Sequence, residues 1–353
     1  MENYDNIRDK IIIDNKHNKF VLDKLSDIEL AARHCENKIN YGILEFLLEK
    51  NRFDTRIIDK VIRQVLRCGS SNSFIIDTLK MVIKYGADLN YLGGDFGETP
   101  LIEFCGFSKT HLRFDIIKFL IENGTDVNIE DEFGCNALDL LCKTGNSQDI
   151  INIELLLEYK ANVNNMKTSW SCLKYAVYNS NYDIAKLLIE NGANINYQNS
   201  GDDTILNFKC SLKSYLDKKI IKLLVENGAD VNIKNKSGKI PLTSLLPHAS
   251  IQDDFEIIKL LIYKGSNVNI KDIDAKTPLM IYFEAFESFG SKLFGQKIIK
   301  LLLDNKADIY LKNKNGENIL DIVKSNSDIY ELIFNYKNIY KDALCKFDID
   351  FIY

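Results

Sequence analysis

The sequence predicts an all-α solenoid, about nine helix pairs stacked in line and joined by short hairpin-like loops, with capping ends. Three observations carry this expectation. A 23-residue phrase recurs, as "IIKFLIENGTDVNIEDEFGCNAL" from Ile116, "IIKLLVENGADVNIKNKSGKIPL" from Ile220, "IIKLLIYKGSNVNIKDIDAKTPL" from Ile257 and "IIKLLLDNKADIYLKNKNGENIL" from Ile298. Aligned on the first residue of "GADVN" and its variants, the copies fall at Gly86, Gly124, Lys160, Gly192, Gly228, Gly265 and Lys306, in steps of 38, 36, 32, 36, 37 and 41 residues. Three of the four prolines, Pro100, Pro241 and Pro278, occupy one place in the phrase. A period of this size marks one supersecondary unit copied along the chain, each copy covering the apolar face of its neighbour.

Each part of the unit follows from its residues. In the copy from Ile220, the apolar Ile220, Ile221, Leu224 and Val225 have helical spacing, and Lys222 and Glu226 fall on the opposite face. Asn227-Gly228 supplies the left-handed residue that ends the helix. "ADVN" is expected to run on extended. "NKSG" is a turn in which Gly238 takes positive φ. Pro241 then opens the next helix at a first-turn position, where its missing N–H costs nothing. In the copies with Thr99-Pro100-Leu101 and Thr277-Pro278-Leu279, the threonine is the N-cap.

Composition bounds the function. The 353 residues are 46% hydrophobic and 27% charged, an ordinary balance for a folded chain. A net charge of −5 argues against a general binder of nucleic acid or anionic membrane. No apolar run approaches the roughly 18–20 residues needed to span a bilayer, and "MENYDNIRDK" has no apolar signal core. Eight cysteines without a CxxC pair predict a reducing compartment, the cytoplasm or, as a second choice, the nucleus.

Helix, "LLxxGADVN", hairpin turn, "TPL" and helix, in register at this period, resemble the ankyrin repeat. The resemblance covers about Ser26 to Asn335 and is strongest from Phe74 onward. The expected organisation is an N-terminal cap segment at 1–25, a solenoid at 26–335 (divergent repeats at 26–86, clearer ones at 87–335) and a C-terminal tail at 336–353. In the divergent part, Asp27–Cys35 and Tyr41–Asn51 form one helix pair, and Ile57–Cys68 and Phe74–Gly86 a second, with a turn between Asn51 and Arg56 too short for the usual hairpin. The histidine that the family carries after "TPL" is absent, its place held by Ile102, Asp139, Lys174, Asn207, Thr243, Met280 and Asp321. The family's Thr–His hydrogen-bond network is therefore expected to be missing. Longer segments after Leu101, Leu242 and Leu279 are expected between the two helices of a repeat, away from the hairpin tips.

Little in the chain points to catalysis, and it is read as a non-enzyme without cofactor or metal. Cys105, Cys142 and Cys210 each lie four residues after the leucine of their repeat, a small-residue slot between helices, so they are read as core. Cys135, at a turn, is read as exposed. His17, His34, His111 and His248 lie in different repeats or tails, and none has a second histidine at i+3 or i+4 for zinc. "LGGDFGETP" (Leu92–Pro100) lacks a following Gly-Lys-Ser/Thr, and its second glycine is read as turn chemistry for one extra residue. Phe283, Phe286, Phe289 and Phe294 in the insertion Met280–Lys297 are read as helix packing.

The resemblance implies a protein partner held on the concave side by hairpin tips and inner helices, by a chain acting as a monomer. The residue before the turn glycine, or its equivalent, is polar or small in most copies, but three successive ones carry Phe96, Phe133 and, with Ser169 as the other candidate for the place, Trp170. Exposed aromatics on adjacent tips form an apolar ridge of the kind that carries binding energy. Equally, each ring can fold onto its neighbour's hairpin and tie the stack. Lys174 and Tyr178 extend the candidate patch on the inner helix. The charged later tips (Lys234, Lys236, Lys271, Lys312 and Lys314, with Asp272 and Asp274) are read as a solvated face.

The leading expectation is a protein–protein interaction scaffold. Divergent repeats rich in Lys and Asn resemble ankyrin proteins of large DNA viruses such as mimiviruses, which act in the host-cell cytoplasm. Two alternatives follow from the resemblance: an adaptor delivering a protein to machinery such as ubiquitin ligase, and a substrate of asparaginyl hydroxylation at Asn128, Asn196 or Asn232. The tail "IYELIFNYKNIYKDALCKFDIDFIY" has no Leu-Pro start of the ligase-recruiting segment found in some viral members.

Overall fold

A computed structural model describes residues 38–50, 54–67, 71–106, 113–165, 170–198, 201–212, 217–249, 252–289 and 292–336. The expected helix at Asp27–Cys35, both end segments and the residues at His17, His34 and His111 lie outside these. The described residues are helical with no strand, and they pack as two units that divide between Cys172 and Leu173.

In the first unit, short helices Pro100–Gly106 and Ala137–Thr144 pack side by side as the inner row. Arg113–Glu122 and Ile150–Glu158 pack on one another as the outer row, with Asn72–Lys84 before them. The second unit repeats the plan: Ile205–Ser211, Pro241–Leu245 and Pro278–Phe289 form the inner row, and Tyr182–Glu190, Lys218–Glu226, Gln252–Tyr263 and Lys292–Asp304 the outer. Apolar residues repeat where the period places them. Ile220, Ile221, Leu224 and Val225 are buried, while Lys222 and Glu226 face solvent and pair at 3.7 Å. Lys118–Glu122 and Lys186–Glu190 repeat that i,i+4 pair at the same address. The insertion after Leu279 lies between helices as expected, lengthening inner and outer partners to Pro278–Phe289 and Lys292–Asp304. Phe283 is buried there, and Phe286 lies so close to Gly295 that any side chain at Gly295 would meet its ring.

All seven anchors are left-handed, with φ between 64° and 97°, including Lys160 and Lys306, which lack glycine's freedom. The residue after each anchor donates its N–H to the carbonyl five positions back, at 2.9–3.2 Å. This is the Schellman closure of a helix end, and the closure sets the backbone whether or not glycine is present.

"ADVN" is not extended. The third residue of each copy, Asp or Asn, accepts from the backbone N–H two residues on at 2.8–3.0 Å, giving an Asx turn. The turn aims the fifth residue at the next repeat. In the first unit, Asn90 donates Nδ2 to Gly124 O at 3.0 Å and accepts from Asp126 N at 2.8 Å, and Asn128 does the same with Lys160 O and Asn162 N at 3.1 and 2.7 Å. In the second, Asn196 joins Gly228 O and Asp230 N, Asn232 joins Gly265 O and Asn267 N, and Asn269 joins Lys306 O and Asp308 N. Only a carboxamide offers donor and acceptor side by side for this bridge. Tyr310 holds the place in the last of the seven copies.

The missing histidine network is rebuilt with other side chains. Asp139 closes a capping box with Asn136 and accepts from Asn165 Nδ2 at 2.7 Å and Cys172 Sγ at 3.0 Å. In the second unit, Asn207 donates to Ile233 O and Lys239 O and accepts from Ser244 Oγ at 3.0 Å. The Thr–His network is thus absent from these two repeats as expected, and hydrogen bonds from Asp139 and Asn207 stand in its place.

Two glycines also change meaning. Gly93 and Gly94 do not take positive φ; Gly97 does, at 69°. A side chain at Gly93 would collide with Asp59, and one at Gly94 with Glu98 and Arg63. They are small because a buried ion network passes beneath them. Arg63 Nε binds Asp59 Oδ2 at 2.7 Å, its other nitrogens reach Glu103 and the Glu98 carbonyl, and Arg67 Nε binds Glu103 Oε1 at 2.6 Å.

Candidate partner-binding surface

The loops between outer helix and next inner helix form fingers, and those described in full are closed by a backbone hydrogen bond such as Asp131 N to Cys135 O at 2.9 Å and Asn235 N to Lys239 O at 2.9 Å. The turn residue is left-handed in each of these fingers: Gly97, Gly134, Asp202, Gly238, Ala275 and Gly316. In four of them the residue before it has its carbonyl tied to the next finger: Glu132 N donates to Phe96 O at 2.9 Å, Lys236 N to Gly201 O at 3.3 Å, Ile273 N to Ser237 O at 3.2 Å and Lys314 N to Asp274 O at 3.1 Å. In these four the backbone is committed to the stack.

At this address in the first unit, Phe96 is 50% and Phe133 62% exposed, with ring centroids 5.3 Å apart and planes tilted by 49°. Both observations hold together: the rings touch one another across two fingers and still present much of their surface to solvent. Trp170 is less exposed than either. The tips are acidic. Asp95, Glu98, Glu130, Asp131 and Glu132 lie on the same two fingers as the rings, and residues 88–99 and 126–136 contain no Lys, Arg or His. Glu98 accepts from Phe96 N at 3.0 Å, and Asp131 Oδ1 from Phe133 N at 2.9 Å and Cys135 N at 2.8 Å. Cys135 is half-buried, not exposed; burial first, then the charges of Asp131 and Asp139, push its thiol up to about 11. The acidity is visible in the sequence once charge is compared finger by finger.

Lys174 and Tyr178 belong to a second cluster, in the second unit, around Phe208. Lys174 Nζ stands 4.9 Å from the Phe208 ring centre, and the Tyr178 ring is 6.2 Å from it. Burial pushes the Lys174 amine down, opposed by Asp203. The position of Phe208, between them, was not singled out by the aromatic pattern of the tips.

The lysines of the later fingers have a different job. Gln198 Nε2 donates to Lys234 O at 3.1 Å, Lys234 Nζ to Lys271 O at 3.0 Å and Lys271 Nζ to Lys312 O at 2.9 Å. These residues share one place in successive copies and form a second ladder. Lys314 pairs with Asp274 at 3.6 Å. Among the described residues, no group of three or more His, Cys, Asp or Glu could hold a metal ion, and no helix is long and apolar enough to cross a membrane. Cys105, Cys142, Cys172 and Cys210 are buried.

The fold and its fingers define a class: the chain belongs to the ankyrin-repeat family, whose model for "Ankyrin repeats (3 copies)" matches residues 108–199 and 206–312. Viral proteins are among its relatives. It is 32% identical over 158 residues to "Ankyrin repeat protein OPG189" of Variola virus, covering 40% of this chain and 27% of that protein. It is 35% identical over 141 residues to "Putative ankyrin repeat protein L86" of Acanthamoeba polyphaga mimivirus, covering 38% of this chain and 24% of that protein. With "Putative ankyrin repeat protein R598" of the same virus it shares 30% identity over 171 residues, 48% of this chain and 46% of that protein. The chain thus spans about a quarter to a half of the length of these relatives. Ankyrin repeats indicate a protein-interaction scaffold.

Proposed function

We propose that the chain is a non-catalytic, monomeric scaffold of the cytoplasm that holds a protein partner through its finger tips and inner-helix face. Phe96 and Phe133, with Trp170, are the anchors on the first unit; Lys174 and Tyr178, grouped with Phe208 on the second unit, are a separate candidate contact. The observation that supports this reading is the pair of half-exposed rings in mutual contact on adjacent fingers. Desolvating two such rings at the centre of an interface supplies the kind of energy that a few hot-spot residues carry. Asn128, Asn196 and Asn232, the candidates for hydroxylation, hold both edges of their amides in the stack, which favours a structural role. Replacing Phe96, Phe133 and Trp170 together by Ser tests the reading. Capture of the native partner is expected to be lost with helical circular dichroism and melting intact; a collapse of melting would assign the rings to the stack instead.

A further inference from the structure

We propose that the tip surface of Phe96 and Phe133 takes a cationic segment of its partner, one that lays an arginine or lysine side chain over the rings. The inference rests on the reading of these tips as a docking surface and adds the chemistry of the occupant. Two rings 5.3 Å apart and tilted by 49° offer π faces of negative potential to a cation. The two fingers themselves carry charge of the same sign. No basic residue occurs within 88–99 or 126–136, whereas each finger of the second unit from Lys234 onward carries lysine. Arg63 and Arg67, which lie beneath the first finger, are already bound by Asp59 and Glu103.

The carboxylates around the rings divide by duty. Glu98 and Asp131 hold the finger backbone. Asp95 and Glu132 are exposed, and among the described residues neither is in an ion pair. Glu132 reaches back across Gly97, the turn residue beside Phe96, so its charge lies next to both tips. Arginine suits this arrangement because its planar guanidinium stacks on an aromatic face while its N–H edge meets a carboxylate. An acidic segment would meet repulsion at the same place, and a purely apolar one would leave the carboxylates desolvated without partners.

The test is selection of a random-peptide display library on the full chain, with recovered peptides measured by fluorescence anisotropy. Peptides enriched in Arg or Lys are expected, with affinity falling at least about tenfold in F96S/F133S and about threefold between low and high salt, as screening of exposed charges requires. In D95N/E132Q the salt dependence is expected to shrink, because Glu98 and Asp131 are untouched and the finger stays closed. Acidic or purely apolar peptides that still depend on Phe96 and Phe133 would overturn the cationic occupant and leave the docking surface standing. Peptides indifferent to F96S/F133S, or no enrichment at all, would overturn the docking surface and the inference with it.

Discussion

Asn232 joins two repeats with one side chain: its Nδ2 donates to Gly265 O at 2.9 Å and its Oδ1 accepts from Asn267 N at 2.8 Å. The carbonyl it holds belongs to the left-handed residue that closes the next outer helix, so the bridge ties helix end to helix end. Asn232→Ala removes both bonds. A loss of about 1–2 kcal/mol is expected, read as a lower urea midpoint. Repeat stacks are stabilised by nearest-neighbour interfaces, so a new early unfolding phase would also fit the break at this junction.

The ion network at Arg63 gives a larger effect. Asp59, Arg63 and Glu103 are all buried; removing the arginine strands the Asp59 carboxylate and leaves Glu103 with Arg67 alone. Arg63→Ala is expected to cost about 3–5 kcal/mol. Gly93→Ala and Gly94→Ala should each destabilise as well, because their side chains would enter the space of that network. Urea denaturation of the three variants checks the order, with Arg63→Ala the most damaged.

Lys209 is fully buried, and its Nζ donates to Val177 O at 3.1 Å and Ser180 Oγ at 3.0 Å. Burial lowers its pKa from 10.5, opposed by Asp217. Between the lowered folded value and 10.5 the unfolded chain binds more protons, so stability rises with pH across that window and is lower below it. Lys209→Met is expected to abolish this slope. Melting temperatures of both proteins from pH 7 to 10 test it; parallel curves would count against a desolvated ammonium.

Asp139 has the opposite sign. Burial raises its pKa above 3.8, against the hydrogen bonds from Cys172, Asn136 and Asn165. The native state therefore binds the proton first as pH falls, and the stabilisation is full below 3.8 and is lost as pH rises through the folded value. Relative to Asp139→Asn, the wild-type chain should gain stability on going from pH 7 toward 4. A difference independent of pH would contradict the assignment.

Much of the fold could be read from periodicity. The anchors, the Thr99 and Thr277 caps and the buried stripe of Ile220 to Val225 follow from residues within one repeat, and local rules govern them. The parts that escaped depend on contacts between repeats. The Asn128 bridge, the Lys234–Lys271–Lys312 ladder and the Asp139 and Asn207 nets join residues 26–41 positions apart, and one copy read alone gives them no signal. The later lysines do lie on an exposed face, and two of them, Lys234 and Lys271, also bond to the backbone of the next finger. At the surface, Phe96 and Phe133 stood out because they break the repeat, whereas the acidity of their fingers needed comparison with later ones. Phe208 had no such contrast and emerged only from its place between Lys174 and Tyr178.

The central claim is a division of labour: residues that recur build the stack, and residues that break the recurrence at the tips hold the partner. The most direct measurement compares Asn232→Ala with F96S/F133S in one pair of assays, thermal melting and affinity for a selected tip-binding peptide. The account predicts that Asn232→Ala lowers melting and keeps the affinity, and that F96S/F133S keeps melting and loses at least about tenfold in affinity, some 1.4 kcal/mol. The reverse pattern, melting lost with the rings and affinity retained, would contradict it.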